Sequence, residues 1–248
     1  MAFVGVYGDD LFGRFMLDEL AKWQIDISPI LIDPSRQTGL SLILSRGSDR
    51  AILTHPGCIG DLRAEQVTDE LLRKARHLHV ASYFLQIGLQ AGLPGLFRRA
   101  HDLERTISLD PNWDPSGKWR GFDALLPQVD VFLPNEKEAI ALSGAATVEA
   151  ALARLGQSCQ TVAVKLGKDG AIALRGREHV SAPAIQADMV DTVGAGDLFD
   201  AGFLYGWLNG WDLETALRLG SACGSLSTRK AGGTAAQPTL EEARRHVL

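Results

Sequence analysis

Short apolar runs, many of them β-branched, alternate along this chain with longer stretches of helical period. That alternation narrows the fold most, because it is the pattern of a parallel sheet covered by helices. The runs Phe3 to Val6, Leu78 to Ala81, Thr106 to Leu109, Val129 to Leu133, Thr161 to Leu166 and Ile172 to Leu174 predict strands. Helices are expected over Leu11 to Trp23, Thr68 to Ala75, Leu89 to Leu103, Glu136 to Leu142, Val148 to Leu155, Leu198 to Asn209 and Leu213 to Lys230. Each should bury one face, as in the stripe Leu198, Ala201, Gly202, Tyr205 and Leu208. The stretch from Ile27 to His55 breaks the rhythm. Pro29 to Ile32, Leu40 to Leu44 and Ala51 to Leu53 read there as strands of a small antiparallel excursion, with Ser45-Arg46-Gly47-Ser48-Asp49 as a turn. No repeat or linker divides the chain, so residues 1–248 are expected to form a single α/β domain with a β excursion near 27–55.

A chain of 248 residues can bury one extended core without disulfide staples. Its net charge of −5, with 25 basic residues scattered rather than clustered, offers no electrostatic footprint for nucleic acid or an anionic membrane. Small-molecule chemistry is the better expectation. Cys58, Cys159 and Cys223 are odd in number and widely spaced, with no CxxC pair, which fits a reducing cytoplasm and no structural metal site. No apolar run approaches the roughly 20 residues of a bilayer-spanning helix, and the first residues lack a targeting pattern.

The chemistry is concentrated in Asp191-Thr192-Val193-Gly194-Ala195-Gly196-Asp197, between an extended stretch and an amphipathic helix. Gly194 and Gly196 let the backbone turn tightly and approach a ligand, and the helix that follows presents unpaired N–H groups at its positive end. A carboxylate at Asp197 would repel the anion such a cradle attracts. It makes sense as a general base drawing a proton from an attacking hydroxyl while the amides of Gly194, Ala195 and Gly196 stabilise a transferring phosphoryl group. The plainer reading is a glycine-rich helix start with Asp197 as a first-turn acid favoured by the dipole.

The whole heptapeptide, followed by Leu198-Phe199-Asp200-Ala201-Gly202-Phe203, resembles the second signature of the ribokinase-like (PfkB) carbohydrate kinases. The resemblance runs through nearly the whole chain. It implies a three-layer α/β/α fold with a mostly parallel sheet and a small β lid. It also implies ATP-dependent phosphorylation of a hydroxyl on a small sugar-like molecule, with Mg²⁺ as cofactor and Asp197 as base and substrate contact. Gly8-Asp9-Asp10-Leu11-Phe12-Gly13 resembles an early family segment, with a helix cap by Asp9 or Asp10 as its physical role. Asn135-Glu136-Lys137-Glu138 reads alone as a capping box. The resemblance instead makes Asn135 and Glu138 organisers of Mg²⁺ through water, a role suited to oxygen ligands.

Lys165, Gly167 and Gly170, in Lys165-Leu166-Gly167-Lys168-Asp169-Gly170, resemble the family's nucleotide-side turn; read alone they are a β-turn with Gly170 at positive φ. Thr192, Ser221 and Gly224 are implied nucleotide contacts, although Ser221 stands where many relatives have Asn. Asp191 and the C-terminal Gly232-Gly233 loop imply a monovalent cation such as K⁺. Asp110-Pro111-Asn112 resembles a turn of fructokinases and ketodeoxygluconate kinases, making Asp110 and Asn112 substrate candidates; by itself it is an Asx turn. Asp114 follows where keto-acid kinases carry an Arg, and its negative charge argues against an acidic sugar. Tyr83 is a further substrate candidate, though an aromatic after a strand is more often core. A homodimer through the lid is implied as well.

Relatives also carry an earlier strand with a sugar-binding Asp and a Gly-Gly-x-x-x-Asn stretch. Neither occurs here, so the chain reads as truncated at its start relative to the family. That motivates one alternative, a nucleotide-binding regulatory relic; a nucleoside kinase is a further alternative. A dinucleotide-dependent oxidoreductase is disfavoured because no Gly-x-Gly-x-x-Gly follows the first strand.

Overall fold

The structure, a computed structural model, describes residues 1–46 and 49–247. Gly47 and Ser48, the centre of the expected 45–49 turn, lie outside the described residues. The elements are β1 (Val6–Gly8), α1 (Leu11–Lys22), β2 (Leu31–Asp33), β3 (Leu40–Arg46), β4 (Asp49–His55), α2 (Asp69–Arg73), β5 (His77–Val80), α3 (Ile87–Gln90), α4 (Leu93–Asp102) and β6 (Thr106–Leu109). They continue as β7 (Val131–Phe132), α5 (Glu136–Ser143), α6 (Val148–Leu155), β8 (Thr161–Lys165), β9 (Ala171–Arg175), β10 (Glu178–Ala182), α7 (Ala195–Leu208), α8 (Leu213–Ser227) and α9 (Leu240–Arg244). The chain groups into two compact units, Met1–Ile107 and Ser108–Leu248.

In the first unit α1 starts at a side-chain cap, Asp10 accepting from the Gly13 amide at 2.9 Å and, through its other oxygen, from the Thr38 amide at 2.7 Å. The β excursion differs from expectation. Only β3 and β4 form an antiparallel hairpin, with Leu42 opposite Leu53, whereas β2 runs parallel to β1. A run of three residues fixes no partner by itself, and the crossover through α1 brings β2 alongside β1 in parallel. The helix expected over 89–103 is divided, because Gly92 ends one segment against Ala64 and Pro94 opens the next, where a missing N–H costs nothing. Leu93, Leu96, Phe97 and Ala100 of α4 are fully buried. Tyr83 is buried edge-on to Phe84, ring centroids 5.1 Å apart, and so packs in the interior of this unit.

In the second unit β6, β7 and β8 are parallel, and β8, β9 and β10 continue as an antiparallel meander. Ala163 and Ala173 face α7 and α8 in one buried cluster with Phe199, Phe203 and Leu217. Leu174, one residue on and therefore on the opposite face, packs against Gly156 at the end of α6. These are the three layers of a helix–sheet–helix sandwich. The buried stripe of α7 is Phe199, Gly202, Phe203 and Gly206; of the expected Leu198, Ala201, Gly202, Tyr205 and Leu208 only Gly202 belongs to it, and Ala201 and Tyr205 are exposed. The helix is apolar on nearly every side, so period alone could not select the face. Glycine decides it: a Cβ on Gly202 would lie 2.8 Å from the Leu219 carbonyl, one on Gly206 2.9 Å from Ala216, and one on Gly224 of α8 3.0 Å from the Ala195 carbonyl. The two helices therefore cross nearly backbone to backbone.

Candidate active site

Three neighbouring parallel strands end together at one edge of the second unit. Asp110 follows β6, Asn135 follows β7 through Pro134, and Lys165 closes β8, with the Lys165 amide donating to the Pro134 carbonyl at 3.0 Å. Ligands of open α/β sheets bind outside the carboxyl ends of parallel strands. The α7 start joins this edge, since a Cβ on Gly196 would lie 3.7 Å from Lys165 Nζ.

The mouth of α7 is built unlike the other helices of its unit. Asn135, Thr147, Asp212 and Thr239 cap α5, α6, α8 and α9 with side chains, whereas the N-cap of α7 is Gly194, left-handed at φ 77°, with no side-chain cap. The Ala195 amide donates to the Thr192 carbonyl at 3.3 Å, and no side chain takes the other first-turn amides. Gly194 abuts Gly233, whose carbonyl would be 2.8 Å from an added Cβ. Asp191 ties the same loops together, accepting from the Val193 amide at 3.0 Å and the Gly232 amide at 2.9 Å. Thr192 is exposed beside them.

Asp197 lies in the first turn of α7 and remains exposed to solvent. Protein packed around its carboxyl raises its pKa, the Asp110 charge pushes the same way, and Lys165 partly opposes both. The ammonium of Lys165 is 3.0 Å from Asp110 Oδ2 and 3.0 and 3.2 Å from the two oxygens of Asp200. Burial pulls Lys165 down, but the two carboxylates more than reverse that and hold it protonated. Of the two acids, Asp200 is the one raised, by complete burial. Burial works on Asp110 too, yet the Lys165 charge and the hydrogen bonds from Lys165 and the Asn112 amide leave it below the ordinary range.

Asn135 and Glu138 form the reciprocal capping box, Glu138 N to Asn135 Oδ1 at 3.0 Å and Asn135 N to Glu138 Oε2 at 2.9 Å. Glu138 is buried, and desolvation raises its pKa. Among the described residues no three His, Cys, Asp or Glu side chains converge as a metal site. Gly167 sits in a short 3-10 turn, and Gly170, at φ 92°, approaches the Ala182 carbonyl too closely for any Cβ. Ser221 is buried and donates to the Pro183 carbonyl at 2.9 Å. Asn112 adopts φ 55°, a conformation asparagine tolerates. The carboxylate of Asp114 is engaged within its own loop, accepting from the Ser116 amide and hydroxyl and from the Trp119 amide. It therefore gives no ground for excluding an acidic sugar.

Asp200 is the site residue the sequence reading passed over. The signal was present, because a carboxylate between Phe199 and Phe203 on a buried face must find a partner. It was hidden by placing the buried stripe one residue out of phase.

The profile of the pfkB family carbohydrate kinases matches residues 1–240. The chain belongs to that family. An uncharacterized sugar kinase of Archaeoglobus fulgidus is 29% identical over 96% of this chain and 94% of its own. An ATP-dependent ribose-1-phosphate kinase of Halopiger xanaduensis is 30% identical, covering 96% and 77%. A putative ribokinase II from E. coli, solved in complex with ATP and Mg²⁺, superposes with a TM-score of 0.89 at 25% identity, covering 99% of this chain and 82% of that one. This pfkB carbohydrate kinase thus has the ribokinase-like fold and is an enzyme of phosphoryl transfer. Among its described residues no helix is long and apolar enough to cross a membrane.

Proposed function

We propose that this kinase transfers the terminal phosphoryl group of ATP to a hydroxyl of a small sugar or sugar-like alcohol, with Asp197 as general base. The observation that carries the reading is the exposed, raised carboxyl of Asp197 in the uncapped first turn of α7. A base must be ionised to work, and a pKa raised toward neutrality strengthens its pull on an alcohol proton. The amides of Gly194, Ala195 and Gly196 stabilise charge on the moving phosphoryl group. Gly167, Gly170 and Thr192 border the nucleotide, and Ser221 and Gly224 back the adenine wall through packing. Asp110 shapes the substrate turn, and Asn112 on that turn contacts the sugar.

The oxygen donors of Asn135 and Glu138 suit a hard cation, so this pair would organise Mg²⁺ through water, and the cation neutralises phosphate charge when bound. Asp191, with the Gly232 loop, is the candidate for a K⁺ ion. The exposed leucine face of β3 and β4 supports pairing of the lid with a second copy.

The test is ATP-dependent phosphorylation across a panel of sugars, sugar phosphates and nucleosides. Asp197→Asn is expected to lower kcat by about 10²- to 10⁴-fold while nucleotide affinity stays nearly constant. Full turnover in that variant removes Asp197 from the chemistry.

A further inference from the structure

Buried charge is costly, and an apolar replacement of a buried ion pair is often neutral or stabilising. The Asp110–Lys165–Asp200 cluster, whose ammonium side chain is 11% exposed, therefore calls for a reason beyond stability. An ammonium has three N–H donors. That of Lys165 is held by Asp110 Oδ2 at 3.0 Å and by both oxygens of Asp200 at 3.0 and 3.2 Å, so the two carboxylates pin it from two elements at once.

The partners are informative. Asp110 also accepts from the Asn112 amide at 2.9 Å and so governs the turn after β6. Asp200 stands three residues beyond Asp197 on α7, and Lys165 Nζ lies beneath Gly196. No side chain caps α7, and Asp191 secures the loop before it rather than the first-turn side chains.

We propose that Lys165 is a positioning residue for phosphoryl transfer. Clamped between Asp110 and Asp200 under Gly196, its ammonium ties α7, through Asp200, to the end of β6 and so holds the first turn of α7, with Asp197, in register with the Asn112 turn. This rests on reading Asp197 as the base. The charged groups around that carboxyl are Asp110 after β6 and Lys165 on β8, with Asp200 on α7 and Glu138 on α5 bordering the same cluster.

The experiment compares Lys165→Met, Lys165→Met/Asp200→Asn and Asp197→Asn by steady-state kinetics from pH 5 to 9 and by thermal melting. Removing one cation and one anion leaves the net charge of the cluster unchanged. The double variant should therefore lose about 10- to 100-fold in kcat, the scale of a misplaced reacting group, with KM for ATP held within about twofold and the acid limb of kcat unmoved. Lys165→Met alone adds net negative charge beside Asp197, so its acid limb should move to higher pH and its melting temperature should fall below that of the double variant. If the single variant does not fold, the double carries the test.

A KM for ATP raised about tenfold with kcat retained would make Lys165 a nucleotide contact and overturn the proposal, as would a wild-type kcat in the double variant. Full activity in Asp197→Asn sinks the base reading instead, whatever the clamp variants do.

Discussion

Asp197 and Glu138 are both carboxyls raised by desolvation, but the raising has different consequences at the two positions. If Asp197 is the base, the raising should place the acid limb of kcat/KM above the ordinary Asp value of 3.8, checked by a pH profile on the preferred sugar. At Glu138 it is a cost to folding. A buried acid whose folded pKa is raised binds its proton more tightly in the folded state. Its contribution is therefore favourable below about pH 4.5 and is lost as pH rises through the folded value, at about 1.4 kcal/mol per unit of displacement. Glu138→Gln keeps both arms of the capping box and removes that cost. Its melting temperature should exceed the wild type's by a margin that grows from pH 4.5 to 7.5, while turnover falls if the carboxylate organises Mg²⁺. A margin independent of pH would show that the carboxyl is not strained by burial.

Among elements, the α7–α8 pair has the least room for change. Gly202 lies against the Leu219 carbonyl and Cys223, and no rotamer change can move a backbone carbonyl aside. Gly202→Val should cost about 1–3 kcal/mol by overpacking, measured by urea denaturation. A stabilised variant would mean the helices can separate freely. The β3–β4 hairpin is the opposite case, since Leu40, Leu42, Leu44 and Leu53 share one exposed face. If the lid pairs with a second copy, Leu42→Glu/Leu53→Glu should lower the mass measured by light scattering. These elements also differ in how far sequence exposed them. The strand Thr106 to Leu109 and the helix Val148 to Leu155 match their expected bounds, because turn residues or a Thr147 cap frame them. The edge strand β10 and the short helix α9 passed unnoticed, one being mostly polar and the other only five residues long.

For the molecule as a whole, ligand binding and stability are linked. Saturating MgATP at about a hundred times its Kd should stabilise the fold by about 2.7 kcal/mol, seen as a raised melting temperature. If Asp197 is the base, Asp197→Asn should keep that shift, since a proton acceptor is not needed to hold nucleotide. Gly194→Val should lose it, because any Cβ there is strained at φ 77° and meets Gly233. A full shift in Gly194→Val would argue that the nucleotide lies elsewhere.

The sequence by itself determined the alternation of strands and helices, the glycine-opened start of α7 with its acid, and the capping box at Asn135. All three are local: they depend on residues within a few positions of one another, so spacing and side-chain chemistry are enough to read them. Tertiary structure alone decided which face of α7 is buried, which strand β2 pairs with, and that Lys165 closes on Asp110 and Asp200, 55 and 35 residues away in the chain. A buried charge shows its need for a partner in the sequence, but only the packing of strand ends against a helix selects the partner.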